Sequence, residues 1–243
     1  MNTLLFQSRR CLPSWRVRPA ALLVAALLLG MVLAVQSGAV AVHGSDWLQL
    51  AGLGGENGAA GVHGATGGLY VLWNIRLPRV FFAVLVGASL GLAGALTQGL
   101  FRNPLADPGL LGVSAGAACA AALTLVVFSG FNLPMPPSWR LWLLPAAAFA
   151  GALGVCFTLD RIARWVTPGS IAGLLLTGVA LNALAAAVIG LCTYLATDEQ
   201  LRSLSFWTLG SVAGSNWALV ALLALALLLA GWRVRQLVRT MNA

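Results

Sequence analysis

Ile75-Arg76-Leu77-Pro78-Arg79, the apolar run from Val80 to Phe101, and Arg102-Asn103-Pro104-Leu105-Ala106-Asp107-Pro108-Gly109 decide the fold of this chain. Read in order, they make a membrane span with two arginines at one edge and a proline-cut polar turn at the other. A second span begins at once with Leu110-Leu111-Gly112-Val113-Ser114-Ala115-Gly116-Ala117. The turn reads residue by residue. Asn103 suits the left-handed conformation that closes a helix, and Pro104 cannot continue one. Asp107 is a good N-cap, and Pro108 at the first helical position loses no hydrogen bond it would have made. Two helices are therefore expected to meet at a short hairpin.

The composition sets the solvent. Only 8% of the 243 residues are charged and 60% are hydrophobic, with a mean hydropathy of +0.90. A soluble domain carries about 25% charged residues, so this chain cannot cover itself with a hydrated surface and lipid must surround it. The net charge of +8 comes from 14 basic residues, all arginine, against six acids. They sit between apolar runs, which is the pattern of topology and not of nucleic-acid binding. Cys11, Cys119, Cys156 and Cys192 form no CxxC pair and read as small buried hydrophobes. His43 and His63 lie apart in a glycine-rich loop, so no metal site is expected.

Six stretches are long enough to cross a hydrocarbon core of about 30 Å: Ala20–Val35, Val80–Phe101, Gly109–Phe128, Leu141–Leu159, Ile171–Ala196 and Trp217–Val234. The first is preceded by Arg16 and Arg18 and followed by Ala39-Val40-Ala41, the outline of a signal peptide, but its apolar core exceeds the usual length of about 7–15 residues and is expected to be retained. With the N-terminus in the cytoplasm, ten arginines fall inside and only Arg76, Arg79, Arg140 and Arg202 outside. The positive-inside rule supports that orientation. The segment Gly38–Asn74 is then an external loop with one short helix.

Gly87, Gly91, Ala95 and Gly99 recur every four residues and predict a stripe on which a neighbouring helix packs closely. Between the fifth and sixth spans, Asp198 is expected to cap a short helix with Glu199 near its positive end. Leu204, Phe206, Trp207 and Leu209 suit a helix lying at the membrane interface. No acid lies deep in any span, which argues against an ion- or proton-coupled carrier. Without a lysine there is no P-loop, and neither HExxH nor GxSxG occurs, so no catalytic residue is assigned. The polar groups within the spans are neutral: Thr97, Gln98, Ser114, Thr124, Thr177, Asn182 and Thr193. Thr177 and Asn182 stand about 140° apart around a helix, so at most one of them points fully into a pathway, whereas Gly178 and Asn182 can share a face.

Four stretches, Ile75–Arg79, Gly99–Gly116, Leu176–Asn182 and Phe206–Ser211, together resemble the FecCD/BtuC-type permeases, the membrane subunits of type II ABC importers for iron-siderophores, haem and cobalamin. The resemblance runs in order from about Arg16 to the last residue. It implies an all-α, polytopic transmembrane helix bundle in the cell inner membrane. It further implies a second permease subunit, most simply a homodimer, with cytoplasmic ATPase subunits that bind ATP and Mg and a periplasmic substrate-binding protein. No cofactor is expected on this chain. Arg76 and Arg79 match the family's binding-protein docking arginines. Thr177 and Asn182 fall on the span that lines the family's translocation path, and Ser203–Leu209 matches a periplasmic gate helix. Family members have about ten spans against the six counted here. Residues 1–243 are therefore expected to be the N-terminal part of the permease domain, without the coupling helices and the last four spans. Transport energised by this chain alone is then not expected, and a non-transporting membrane remnant or an ungated pore stand as the alternative readings.

Overall fold

The computed structural model describes residues 14–38, 40–50, 65–127, 137–166 and 168–241. Arg9, Arg10, Cys11, Ala39, His63 and Phe128 lie outside these residues. The described residues are helical and contain no strand: α1 Ser14–Gln36, α2 Gly44–Leu50, α3 Ala65–Val71, α4 Leu77–Phe101, α5 Val113–Val126, α6 Pro137–Trp165, α7 Ile171–Leu195, α8 Asp198–Leu209 and α9 Trp217–Met241. A π-helical turn, Leu72–Arg76, joins α3 to α4, and a 3-10 turn, Pro108–Leu111, precedes α5.

Five helical segments are long and apolar enough to cross a membrane: Pro19–Gln36, Gly67–Phe101, Trp142–Trp165, Ile171–Leu195 and Trp217–Gln236. Their leucines face outward, Leu22, Leu90, Leu153, Leu184 and Leu228 among them, as lipid-facing helices require. The stretch expected as a third span, Gly109–Phe128, is divided. Pro108 starts the 3-10 turn, and Gly112, at φ 81°, ends it in the left-handed region before α5 begins. The 14 residues of α5 rise about 21 Å, less than a full hydrocarbon core. The second span, by contrast, is longer than Val80–Phe101. Gly67–Phe101 is helical throughout, 35 residues in all and about 50 Å long, longer than a hydrocarbon core of about 30 Å. Among the described residues of Gly38–Asn74, where one short helix is expected, there are α2 and also α3, which runs on into this long helical segment.

The chain divides into two compact units, residues 1–86 with 213–243, and residues 87–212. In the second unit α5 packs against both α6 and α7. A Cβ placed on Gly116 would stand 2.9 Å from the Gly151 carbonyl, and one on Gly151 would stand 2.5 Å from Ala120 Cβ. Small residues on both helices thus let the two backbones touch, which is how helices associate without a hydrophobic drive. Helix α8 seats Leu204 among Ala122 of α5 and Cys192 of α7, and the Gln200 amide donates to the Val126 carbonyl at 3.4 Å. The cap of α8 is Thr197, not Asp198. Its hydroxyl accepts from Gln200 N while Gln200 Oε1 accepts from Thr197 N, a reciprocal box that leaves Asp198 and Glu199 in the first turn beside the positive end of the helix.

Among the described residues no neighbour packs on the α4 stripe. Gly87, Gly91, Ala95 and Gly99 are all exposed, and a Cβ on any of the three glycines would meet nothing within 4 Å. A four-residue period marks a smooth helix face but does not choose its neighbour. Among the described residues the close approaches belong to Gly116, Gly151 and Gly178 instead.

Two substitutions should separate these roles. Gly151→Leu forces a branched side chain into the Gly116 backbone and should lower stability by about 1–3 kcal/mol, whereas Gly91→Leu should leave it nearly unchanged. Thermal unfolding of the detergent-solubilised chain reads both, and equal losses would contradict the assignment.

Candidate functional site

Within the first unit, the residues singled out at the edge of the second span fall on the π-helical turn and the first turn of α4. Pro78 explains the π turn. A proline ring clashes with the carbonyl four residues back and has no N–H to donate, and widening the helix here relieves the clash. The Leu77 amide reaches back to the Leu72 carbonyl. In that register Pro78 cannot serve the next carbonyl, Trp73, and the Trp217 indole N–H donates to it at 2.9 Å. The rings of Trp73 and Trp217 lie 4.9 Å apart, with Phe81 5.9 Å from Trp217. The start of α9 is thereby fixed to the start of α4.

The two arginines differ. Arg76 is only 8% exposed. Its Nη1 donates to the Val35 carbonyl at 2.7 Å and the Gln36 carbonyl at 3.2 Å, and its Nη2 donates to the Val40 carbonyl. The first two are terminal carbonyls of α1, which have no partner within their own helix and form the negative end of its dipole. Arg76 is therefore a C-cap supplied from another helix, with its donors turned inward. Gly38 stands against the guanidinium so closely that a Cβ there would lie 2.5 Å from Nη2. Arg79, one turn further on, is exposed. Its Nη2 donates to the Ala213 carbonyl at 3.1 Å.

The second candidate region, in the second unit, is the turn after α4 where it meets α7. Helix α4 ends in a Schellman arrangement: the Asn103 amide reaches the Gln98 carbonyl at 3.2 Å around a left-handed residue. That residue is Arg102, at φ 48°, and not Asn103 as expected. Asn103 instead accepts from Leu105 N at 2.9 Å through its side chain, a local turn closure that Asn favours. Asp107 caps the 3-10 turn, accepting from Gly109 N at 2.7 Å, with Pro108 in the first position as expected. Pro104 follows the helix end without interrupting it.

This turn sits directly on α7. A Cβ on Gly178 would lie 3.0 Å from Leu111 Cα and would strike the Leu110 carbonyl. One turn along, Asn182 Nδ2 donates to the Gly109 carbonyl at 3.1 Å and reaches toward that of Leu110 at 3.5 Å. Gly178 and Asn182 do share a face, and that face carries the turn. Thr177 lies on another face, half-buried, with its hydroxyl donating to the Gly173 carbonyl at 2.8 Å. Thr97, Thr124 and Thr193 donate to their own helices in the same way, so these hydroxyl protons are spent locally and not across helices. Gly38, Gly112, Gly178 and Trp217 carry the geometry, and of these the sequence pattern marks only Gly178. A small residue four before Asn182 was the available signal for Gly178. Nothing local marks Trp217 as the partner of Trp73.

A family model described as the FecCD transport family matches residues 26–243. The chain belongs to the FecCD transport family. Among its relatives, the Yersinia pestis hemin transport system permease protein HmuU is 44% identical over 151 residues, covering 62% of this chain and 44% of the relative. The Pectobacterium atrosepticum vitamin B12 import system permease protein BtuC is 37% identical over 219 residues, covering 90% of this chain and 59% of the relative. A solved metal-chelate type ABC transporter chain in an inward-facing conformation matches with a TM-score of 0.66 and 27% identity, over 87% of this chain and 59% of that one. This FecCD-family chain spans about half the length of the curated relatives it matches.

The division between the arginines predicts unequal costs. Arg76→Gln strands helix-end carbonyls in a buried place and should lower stability by about 2 kcal/mol, while Arg79→Gln should cost little because its bond is exposed. Urea unfolding followed by tryptophan fluorescence would show it, and equal losses would refute the division.

Proposed function

We propose that the chain is a transmembrane permease subunit of an ABC importer carrying an iron complex (siderophore or haem) or cobalamin across the cell inner membrane. What carries this reading is the family match over residues 26–243 together with relatives that are a hemin permease and a vitamin B12 permease. The chain supplies a path and not a reaction. ATP and Mg act on separate cytoplasmic ATPase subunits, a second permease copy completes the path, and a periplasmic binding protein delivers the substrate.

The orientation in this reading has the N-terminus in the cytoplasm, supported by the arginine distribution. Arg76, Arg79 and the start of α9 then lie at the periplasmic face, and the 102–112 turn at the cytoplasmic face. Docking falls to Arg79 alone of the original pair, since Arg76 is occupied. An exposed guanidinium at the membrane edge is suited to a carboxylate on the delivering protein, for which it offers two parallel donors. Along the path, α7 presents neutral polar groups, and Asn182 acts by holding the turn on α7 while Thr177 keeps only acceptor capacity to offer. A path of apolar side chains and neutral polar groups suits haem, siderophore chelates and cobalamin alike.

The test is binding of the haem- or cobalamin-binding protein encoded in the same genome to the chain in lipid nanodiscs. Saturable binding should weaken as salt rises, because exposed charges act within a Debye length of about 8 Å. Arg79→Glu should reduce affinity about tenfold at low salt, a loss of about 1.4 kcal/mol, and Arg76→Lys should affect affinity less. Affinity indifferent to both salt and Arg79→Glu would overturn the docking assignment.

A further inference from the structure

The bond from Arg79 to the Ala213 carbonyl ties the arginine read above as the docking cation to the link between α8 and α9. That link, residues 210–216, opens on a left-handed glycine and closes on a capped, anchored helix start. At its start Gly210 takes φ 75°, and Gly214 lies exposed within it. At its end Asn216 caps α9 by accepting from Leu219 N at 2.9 Å. Trp217 is fixed beside it to the Trp73 carbonyl. Ser211, Val212, Ala213 and Ser215 make further interactions, so the Arg79 bond is one restraint among several.

We propose that Arg79 is a latch on the α8–α9 link, opened by a partner carboxylate. The inference rests on the docking reading for its trigger but on the observed bond for its restraint. A peptide carbonyl is a neutral acceptor and holds one guanidinium N–H here. A carboxylate is charged and accepts two in parallel, which makes it the stronger partner. An acidic group arriving at the exposed Arg79 therefore competes with Ala213, draws the guanidinium away and loosens the link. The other cation nearby, Arg76, cannot substitute, because its donors are committed to the end of α1. Docking would then be felt in the segment that follows α8 without any movement of the anchored α9 start.

Hydrogen–deuterium exchange of the full chain in nanodiscs tests this, read on peptides covering 210–216 and, as a folding control, Val113–Val126. Arg79→Gln should speed exchange of the link about fivefold, the loss of one modest hydrogen bond, with the control peptide unchanged. Hexaglutamate added at low salt to the unmodified chain should speed exchange in the same link, and should do nothing to Arg79→Gln. No change on Arg79→Gln would overturn the latch, whatever the docking assay gives. A faster link in Arg79→Gln that does not respond to hexaglutamate would overturn opening by a carboxylate. Loss of binding-protein affinity without any change in the link would leave docking standing and the latch refuted. The hexaglutamate arm needs no variant, so a poorly folding Arg79→Gln does not remove the test.

Discussion

A buried guanidinium on the carboxyl end of a membrane helix is the interaction on which the first unit depends. A helix that ends at the membrane edge leaves terminal carbonyls with little water to satisfy them, and each is costly to bury alone. Arg76 serves two such carbonyls of α1 and a third from Val40. The arrangement benefits both sides: the carbonyls gain donors, and the charge gains the negative end of the helix dipole. It also demands a particular path for α4. The π turn forced by Pro78 aims Arg76 inward, leaves Trp73 with a carbonyl to be met by Trp217, and places Arg79 one turn later at the surface. One proline thus accounts for three features that look independent.

The second unit depends on closeness of backbones. Gly116 against Gly151, and Gly178 against Leu110 and Leu111, are contacts that no side chain could occupy. Asn182 then converts the second of these into a fixed attachment by bonding to the turn. In this FecCD-family chain these contacts hold α7 and the turn before α5 together. Asn182 therefore acts through the backbone that it holds.

Much of this was legible in the residues. The helical class, the helix-turn-helix after Phe101, the cap at Asp107 and the shared face of Gly178 and Asn182 all follow from local rules. The errors also have local causes. Asn103 is the better left-handed residue by type, but the helix ends one residue earlier and Arg102 takes that conformation within a Schellman closure. Asp198 is a good cap, but Thr197 with Gln200 offers a reciprocal pair. The α4 stripe is as regular as any packing motif, and periodicity cannot say which of several smooth faces meets a neighbour. Arg76 and Arg79 are alike in a sequence; only the geometry of the π turn sends one inward and one outward.

That separation is the central claim, and chemical labelling reads it directly. Phenylglyoxal applied to the folded chain in sealed lipid vesicles, followed by peptide mass spectrometry, reports each arginine's accessibility. The account predicts that Arg79 is modified and Arg76 protected until the chain is unfolded, and that an acidic ligand slows modification of Arg79 alone. Equal modification of the two arginines in the folded chain would contradict it.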